Sequence, residues 1–308
     1  MKRVPKYIKK FMGMDFRSVE GMDASFELSG GEVTIVTKGA LYYHNGTTEN
    51  TNYTGNTDNV NSDYYSSKGV KADGAITISG GKISVATAGR NAEGIESKTS
   101  ILISDGEVTV NSYDDGINVG GDGSDLIISG GYVYSRAMNN DGIDGNGNVY
   151  VKGGLVYAIG ANSPEVAIDA NSEEQKKLYV QGGTLIAVGS LESGAQISGG
   201  TCKQTTSFTA EVWYALYNGS ELVAAFKTPA RSSNSGGGPG GGGRPGGDPG
   251  GPGGGSNKLV VYTSSTPTLQ SGVTVTGGTE YFEGAANIGG EVSGGSNVTL
   301  SNYTSGGR

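Results

Sequence analysis

The feature that most constrains this chain is a short template that recurs along it six times. Each copy places alternating, strand-like residues on both sides of a Gly-Gly or Asp-Gly pair. The copies are FELSGGEVTIV, ITISGGKISVA, ILISDGEVTVN, LIISGGYVYSR, VYVKGGLVYAI and LYVQGGTLIAV. Their second glycines stand at positions 31, 81, 106, 131, 154 and 183, so the first step is twice the later ones. The doubled step predicts either an extra coil or an insertion after the first copy.

A period near 25 residues with short alternating strands predicts a parallel β-helix, whose coils stack about 4.8 Å apart. We therefore expect an all-β fold, a right-handed single-stranded parallel β-helix with a C-terminal β cap. An antiparallel sandwich is the alternative, but it does not need one template at constant spacing. Alternation along the strands assigns three inward columns. They are Phe26, Ile76, Ile101, Leu126, Val149 and Leu178; Leu28, Ile78, Ile103, Ile128, Val151 and Val180; and Val33, Ile83, Val108, Val133, Val156 and Leu185.

The chain divides around this repeat into three parts. Residues 1–24 form an N-terminal segment, and residues 25–200 form the β-helix with a polar lateral loop at 40–67. Residues 201–308 form a C-terminal β-strand unit with a Gly/Pro-rich insert at 235–256. Within that unit, TAEVWYALYNGSELVAAFKT reads as a hairpin that turns at Asn218 and Gly219. We expect the hairpin to cap the last coil, since a solenoid needs its final edge covered.

Composition excludes several classes of function. A net charge of -8 makes a nucleic-acid partner improbable, and Cys202 and His44 are the only residues of their types. An internal disulfide, a zinc constellation and most histidine chemistry are thereby excluded. The sequence has no run that predicts a membrane span. The composition is typical of an extracellular protein, although the basic N-terminal segment lacks the apolar core of a signal peptide and leaves the export route open.

Acidic residues recur before each pair of strands, in EGIES, DDGINVGG, NDGIDGNG and VAIDAN. Aligned on the shared Ile, one column reads Glu93, Asp115 and Asp141, and Asp114 and Asn140 precede it. The next column reads Lys71, Glu96, Asn118, Asp144 and Asp169. Like charges one rung apart repel each other and raise each other's pKa, so we expect a counter-ion.

Calcium suits this corner because it takes six to eight oxygen ligands from carboxylates, amides and backbone carbonyls. Magnesium fits less well, since it usually keeps several of its waters. Two alternatives remain: Lys71 neutralises one end, or Asp and Asn are ordinary turn residues. The candidate metal ligands are Glu93, Glu96, Asp114, Asp115, Asn118, Asn140, Asp141, Asp144 and Asp169.

These motifs resemble a known family. KGVKADGAITISGG, DDGINVGG and NDGIDGNGNVYVKGG, with the tail NKLVVYTSSTPTLQSGVTVTGG, are similar to secreted polysaccharide-binding β-helix proteins usually described as carbohydrate-binding domain-containing. The resemblance implies a pectate-lyase-like fold, bound calcium, and binding of cellulose or acidic plant polysaccharides such as pectin without demonstrated cleavage. It passes the calcium role to Asp114, Asp115, Asn140, Asp141 and Asp144. Val166 departs from the acid column and puts a site on that last coil in doubt.

Outward tyrosines offer two candidate surfaces for a glycan. Tyr132, Tyr134 and Tyr157 are expected to cluster on the exterior, with Arg136 beside them, and form the predicted carbohydrate-binding site. The alternative is that C-terminal strands around Trp213 and Tyr217 cover this face. The second outward column, Leu102, Ile127, Tyr150 and Tyr179, is the weaker candidate because its apolar neighbours suggest a covered surface.

The sequence thus predicts an extracellular, calcium-stabilised, non-catalytic polysaccharide-binding protein. A structural protein that assembles into filaments or surface layers, as a homo-oligomer, is the first alternative. A calcium-dependent polysaccharide lyase is the second, because Arg136 and Lys152 could act as the base near the acids.

Overall fold

The computed structural model describes residues 24–39, 66–161, 164–230 and 258–304, and the backbone of four short strands elsewhere. Most of the lateral loop 40–67 and all of the insert 235–256 lie outside the described residues. Within the described part of the chain, no helix has the length and apolar character needed to cross a bilayer.

The regular secondary structure of the described residues is almost entirely β-strand. The strands before the template region and within the coils are β1 (Lys9–Phe11), β2 (Met14–Phe16), β3 (Phe26–Thr37), β4 (Tyr42–Tyr43), β5 (Tyr64–Tyr65), β6 (Val70–Ala72), β7 (Ile76–Thr87), β8 (Ile95–Ser97), β9 (Ile101–Ser112), β10 (Ile117–Val119), β11 (Leu126–Ile128), β12 (Tyr132–Ala137), β13 (Ile143–Gly145), β14 (Val149–Val151), β15 (Leu155–Ile159), β16 (Leu178–Val180), β17 (Thr184–Val188) and β18 (Gln196–Ile197). The later strands are β19 (Thr201–Thr205), β20 (Trp213–Asn218), β21 (Glu221–Lys227), β22 (Leu259–Thr263), β23 (Pro267–Thr276), β24 (Thr279–Tyr281), β25 (Ala286–Ile288), β26 (Glu291–Asn297) and β27 (Ser301–Asn302). Among the described residues, two single 3₁₀ turns, Ser172–Glu174 and Phe282–Gly284, complete the elements.

The coils form a parallel β-solenoid of about five turns with a period near 25 residues, as the repeats predict. The template strands pair in parallel and in register from coil to coil, for example Leu126 with Ile101 and with Val149. A third side of each coil is a short parallel sheet of β6, β8, β10 and β13. The predicted parallel solenoid is therefore confirmed.

The core is the set of stacked columns that alternation assigns. From the second coil onward these side chains are almost completely buried, whereas Phe26 and Val33 in the first coil stay half-buried. Ile95, Ile117 and Ile143 add a further inward column from the third side. An apolar residue from each side of each coil thus meets its equivalents above and below, which gives a continuous core without helices.

Glycine is required at the corner between the two template strands. Gly81 has a φ of 75°, and a Cβ there would lie 2.7 Å from backbone atoms of Gly30 and Gly31 in the coil below. A side chain at Gly81 would be strained by the left-handed backbone conformation and would also clash with the neighbouring coil. The doubled first step is an insertion and not an extra coil, because β3 pairs directly with β7, with Phe26 opposite Ile76.

The C-terminal unit covers one side of the solenoid. Its six strands are ordered β24-β25-β21-β20-β23-β26 and pair antiparallel. The predicted hairpin exists as β20 and β21, with Gly219 in the turn. Its predicted place was wrong, because the hairpin packs on the side of the coils, where Leu216 and Phe226 meet Tyr157. The last coil is instead extended by β22, which pairs antiparallel with β17 and β19.

Candidate functional site

The acid columns stand on the short third sheet of the solenoid. Its parallel register places Lys71, Glu96, Asn118 and Asp144 opposite one another on successive rungs. An isolated bridge from Ile143 to Ile168 carries the ladder on to Asp169. The predicted alignment of these positions is confirmed.

Two groups of carboxylates come together beside this ladder. We call the six residues of these two groups the acid corner. Each residue offers an oxygen within 4.8 Å of the others in its group. The groups are Glu93, Asp114 and Asp115, and Asp141, Asp144 and Asp169. Asp115 and Asp141 are buried, which is unusual for carboxylates that lack a compensating cation or hydrogen bonds.

Backbone hydrogen bonds explain part of this burial. The Asp115 Oδ1 atom accepts a hydrogen bond from the Asp141 N–H at 3.0 Å, and Asp141 Oδ1 accepts one from the Val166 N–H at 2.5 Å. Each aspartate therefore joins its rung to the next one. This contact also shows why Val166 can leave the acid column, since only its backbone is needed there.

Two lysines neutralise the N-terminal end of the ladder. Lys68 forms ion pairs with Glu93 and, at 2.5 Å, with Glu96, and Lys98 also contacts Glu96. Burial alone would raise the pKa of Glu96, but the charge of Lys68 and the hydrogen bonds from Lys68 and Lys98 hold it below its ordinary value. Lys71, the cation expected from the sequence, approaches Glu96 only to 3.9 Å and is half-exposed. Glu96 is thus held by ammonium groups.

The neighbouring aspartates have a different electrostatic environment. Burial, followed by the charge of Glu93, raises the pKa of Asp114 to about 6. Burial and the charges of Asp144, Asp114 and Asp141 raise the pKa of Asp115 well above its ordinary value. Both shifts report that negative charge on this part of the corner is unfavourable without a cation.

Amide groups adjoin these carboxylates. Asn118 Nδ2 donates to Asp115 Oδ2 at 3.3 Å, while its buried Oδ1 has no hydrogen-bond partner within the described residues. The Asn140 side chain hydrogen-bonds Asp114, which lowers the pKa of that carboxyl in part. A buried amide oxygen beside clustered carboxylates is a donor set that fits a hard cation.

One acid on this ladder, Glu192, was not predicted from the sequence. Ile168 bridges to Leu191, which places Glu192 on the rung beyond Asp169. The Glu192 side chain is completely buried, and its Oε1 accepts a hydrogen bond from the Ser193 N–H at 2.6 Å. The signal was present, because Leu191-Glu192 repeats the apolar-acid pair of Ile143-Asp144 and Ile168-Asp169.

The predicted exterior cluster of tyrosines is wrong. Tyr157 is 0% exposed and Tyr134 is 6% exposed, and both lie in a core shared with the C-terminal unit. Tyr132 is half-buried and stacks on Tyr281 with 4.1 Å between ring centroids. Arg136, also half-buried, hydrogen-bonds Tyr134.

The outward apolar residues explain why this face is covered. Tyr157 lies in register between Tyr134 and Ile186, and Arg136 is followed on the next rungs by Ile159 and Val188. Such columns would expose a large apolar surface if nothing packed on them. The C-terminal sheet buries it, and the Tyr157 hydroxyl donates to the Lys227 carbonyl at 3.0 Å.

The second outward column is the surface that stays open. We call Leu102, Ile127, Tyr150 and Tyr179 the apolar strip; these four residues lie in register on consecutive rungs. Leu102 is 38% exposed and the other three are half-buried, so the expectation that this column is covered was wrong. The Tyr150 and Tyr179 rings are nearly parallel, 8° apart, with centroids separated by 4.9 Å.

Polar columns border the strip on both sides. Asp125, Asn148 and Lys177 lie before it, joined by hydrogen bonds from Asn148 to Asp125 and from the Lys177 N–H to Asn148 Oδ1. Exposed Ser129 and Lys152 lie after it. The Lys152 ammonium stands 4.6 Å from the centroid of the Tyr150 ring, a cation–π distance.

Comparison with known proteins gives one family match. Residues 18–116 match the family described as carbohydrate-binding domain-containing protein. The matched range contains Leu102 and the acids from Glu93 to Asp115, and it ends before Tyr150 and Tyr179. No curated protein and no solved structure matches the chain. About a third of the chain, residues 18–116, is therefore similar to a carbohydrate-binding family, and that similarity suggests polysaccharide binding.

Proposed function

We propose that this protein binds polysaccharide through the apolar strip. The observation that carries the proposal is a row of four in-register apolar side chains that stay exposed or only half-buried on one face of the solenoid, from Leu102 to Tyr179. Apolar surface framed by polar residues marks a binding site more often than a chance exposure. The family match supports a carbohydrate as the ligand.

The chemistry of the strip suits a sugar. Sugar rings carry C–H faces that contact apolar side chains and hydroxyl edges that need hydrogen-bond partners. The Tyr150 and Tyr179 rings stack on each other with centroids 4.9 Å apart and are only half-buried, so a sugar can contact the parts of the rings that stay exposed. The flanking Asn148, Lys152 and Lys177 supply polar groups on both sides.

We also propose that the acid corner holds calcium. The donors that fit are Asp114 and Asp115 of one carboxylate group and Asp141, Asp144 and Asp169 of the other, together with Asn118, whose buried Oδ1 is otherwise unpaired within the described residues. Bound calcium would supply positive charge that lets these carboxylates stay ionised side by side. Glu96 is left out of this set because Lys68 and Lys98 hold it.

The proposed setting is outside the cell, and the proposed role is binding without catalysis. Calcium sites of extracellular modules typically have Kd values of about 10⁻⁴–10⁻³ M. The structural-assembly alternative needs open edges at the ends of the solenoid. Strand β22 occupies one such edge, so this end of the molecule does not favour it.

The proposal is tested by removing the tyrosine rings. In affinity electrophoresis against polygalacturonate and hydroxyethylcellulose, we expect Tyr150→Ala/Tyr179→Ala to weaken binding of the preferred polymer at least about tenfold, or roughly 1.4 kcal/mol. Tyr150→Phe/Tyr179→Phe keeps the rings and is the matched control, for which most of the affinity should remain.

A second control separates the two tyrosine faces. Tyr132→Ala removes an aromatic ring from the covered face, where it stacks on Tyr281, and should leave glycan binding unchanged. Wild-type affinity in the double alanine variant, or loss of binding in Tyr132→Ala with an unchanged unfolding midpoint, would refute the strip as the binding surface.

A further inference from the structure

We infer, resting on the proposed polysaccharide binding, that the glycan lies along the solenoid axis with successive sugar units on successive rungs of the apolar strip, its acidic groups near Lys152 and Lys177. The orientation, the length and the polarity of the bound glycan each follow from a different property of the strip.

Orientation follows from the shape of the strip. The strip is one side chain wide and four rungs long, because its members are partners on neighbouring parallel strands. A glycan that runs parallel to the strands at Ile127 would leave the apolar surface within one residue and meet Asp125 on one side and Ser129 on the other. A chain laid along the axis keeps apolar contact over its whole length.

Length follows from the spacing of the rungs. Parallel strands repeat about every 4.8 Å, so Leu102 and Tyr179 are roughly 14 Å apart along the axis. That repeat is close to the advance of one pyranose unit in an extended chain. Four strip residues therefore match four consecutive sugars, and polar Thr77 and Gln196 stand in register at the two ends.

Polarity follows from the charged residues around the strip. Lys152 and Lys177 are both exposed and flank the tyrosines from opposite sides. At the other end, Thr77 lies one rung before Leu102, and exposed Glu27 lies in register with Thr77 on the rung before that. Asp125 stands beside Ile127, where Asn148 donates two hydrogen bonds to it. Both exposed lysines that border the strip thus stand at the Tyr150 and Tyr179 half, on a protein whose net charge is -8.

The length is tested by calorimetry with galacturonate oligomers, from dimer to hexamer, on the full chain. We expect the affinity to increase up to the tetramer and to change little beyond it. Leu102→Ser, at the far end of the strip, should weaken tetramer binding severalfold and leave dimer binding unchanged, because the dimer occupies the two tyrosines. An affinity that is already maximal with the dimer, or a Leu102→Ser variant that binds the tetramer like the wild type, would overturn the axial orientation.

The polarity is tested with Lys152→Gln/Lys177→Gln against the same oligomers. Binding should weaken at least about fivefold, whereas Lys227→Gln, an exposed lysine on the C-terminal sheet, should have no effect. If the lysine variant binds like the wild type, the proposed polarity is wrong.

These results separate the inference from the function on which it rests. Loss of binding in the tyrosine double variant, together with a plateau at the dimer, would keep the strip as the site and reject the axial chain. Oligomer binding that ignores the tyrosines altogether would reject the proposed function itself.

Discussion

Removing calcium with a chelator is expected to lower the midpoint of thermal unfolding, and adding calcium back should restore it. A ligand that binds only the folded state at 100 times its Kd stabilises that state by about 2.7 kcal/mol. Each kcal/mol corresponds to roughly 2–4 °C in domains of about 150–250 residues. The physical reason is the buried Asp115, whose pKa is raised by burial and by the charges of Asp144, Asp114 and Asp141.

The calcium effect should depend on the acid corner alone. Asp115→Asn/Asp141→Asn removes one charge from each carboxylate group but keeps the oxygens that accept the Asp141 and Val166 N–H groups. This variant should respond little to calcium. Asp122→Asn, in an exposed turn, is the matched control and should respond like the wild type. A calcium response that survives in the first variant would contradict the assignment.

The dependence on pH gives an independent check of the same idea. An acid whose pKa is higher in the folded state binds more protons there, so its contribution to stability falls as pH rises towards that pKa. Asp114, with a pKa of about 6, and Asp115 both behave in this way. Glu96 has a lowered pKa and the opposite sign, but above about pH 5.5 it is ionised in both states.

Chelated protein should therefore lose stability between about pH 5.5 and 7. Calcium requires deprotonated carboxylates, so the gain from calcium should grow over the same interval. Chelated protein that becomes more stable with rising pH would show that the raised pKa values do not govern the folded state.

The second large effect is expected at the glycines that precede the strands of the third sheet. A Cβ on Gly116 would lie 1.9 Å from Ser135 Oγ and 2.4 Å from the Gly142 carbonyl oxygen. Ser135 Oγ also donates to that carbonyl at 2.5 Å, so neither atom can move freely. Overpacking of this kind costs about 1–3 kcal/mol, and more where the backbone must shift.

Urea unfolding measures this prediction directly. Gly116→Ala should have a midpoint well below the wild type. Gly30→Ala is the control, because a Cβ there meets nothing within 4 Å. Equal midpoints for the two variants would mean that the close approach at Gly116 is not needed.

These glycines also explain why acids and glycines alternate so densely in this sequence. In DDGINV and NDGIDG, the Asp before the glycine accepts a backbone hydrogen bond, and the glycine lets the chain pass close to the opposite strand. The following Ile fills the core. One short motif thus combines a polar corner, a tight approach and a core side chain.

The sequence was sufficient to predict the coils, because each inward column depends only on the local alternation of residues and on a constant repeat length. Ile101, Leu126 and Val149 stack as expected for that reason. The same argument aligned Asn118 with Asp144. Periodicity sets which residues are neighbours, whether or not the rest of the chain is known.

The sequence was not sufficient to predict which outer faces are buried, because the strands that pack on those faces come from elsewhere in the chain. Tyr157 and Tyr150 are both outward, yet only Tyr157 is buried by Leu216 and Phe226 from residues far along the sequence. The apolar partners of Tyr157, Ile186 above all, were the available signal. Lys68 was likewise missed because its side chain reaches both Glu93 and Glu96 across a rung.

Hydroxyl-radical footprinting with and without saturating glycan tests the central claim most directly, because it reports the exposure of individual side chains. We expect oxidation of Tyr150, Tyr179 and Leu102 to fall together when glycan is bound, while half-buried Tyr132 on the covered solenoid face and half-buried Tyr217 on the C-terminal sheet are unchanged. Protection confined to the C-terminal sheet, or no protection of Tyr150 and Tyr179 under conditions where binding is measured, would contradict it.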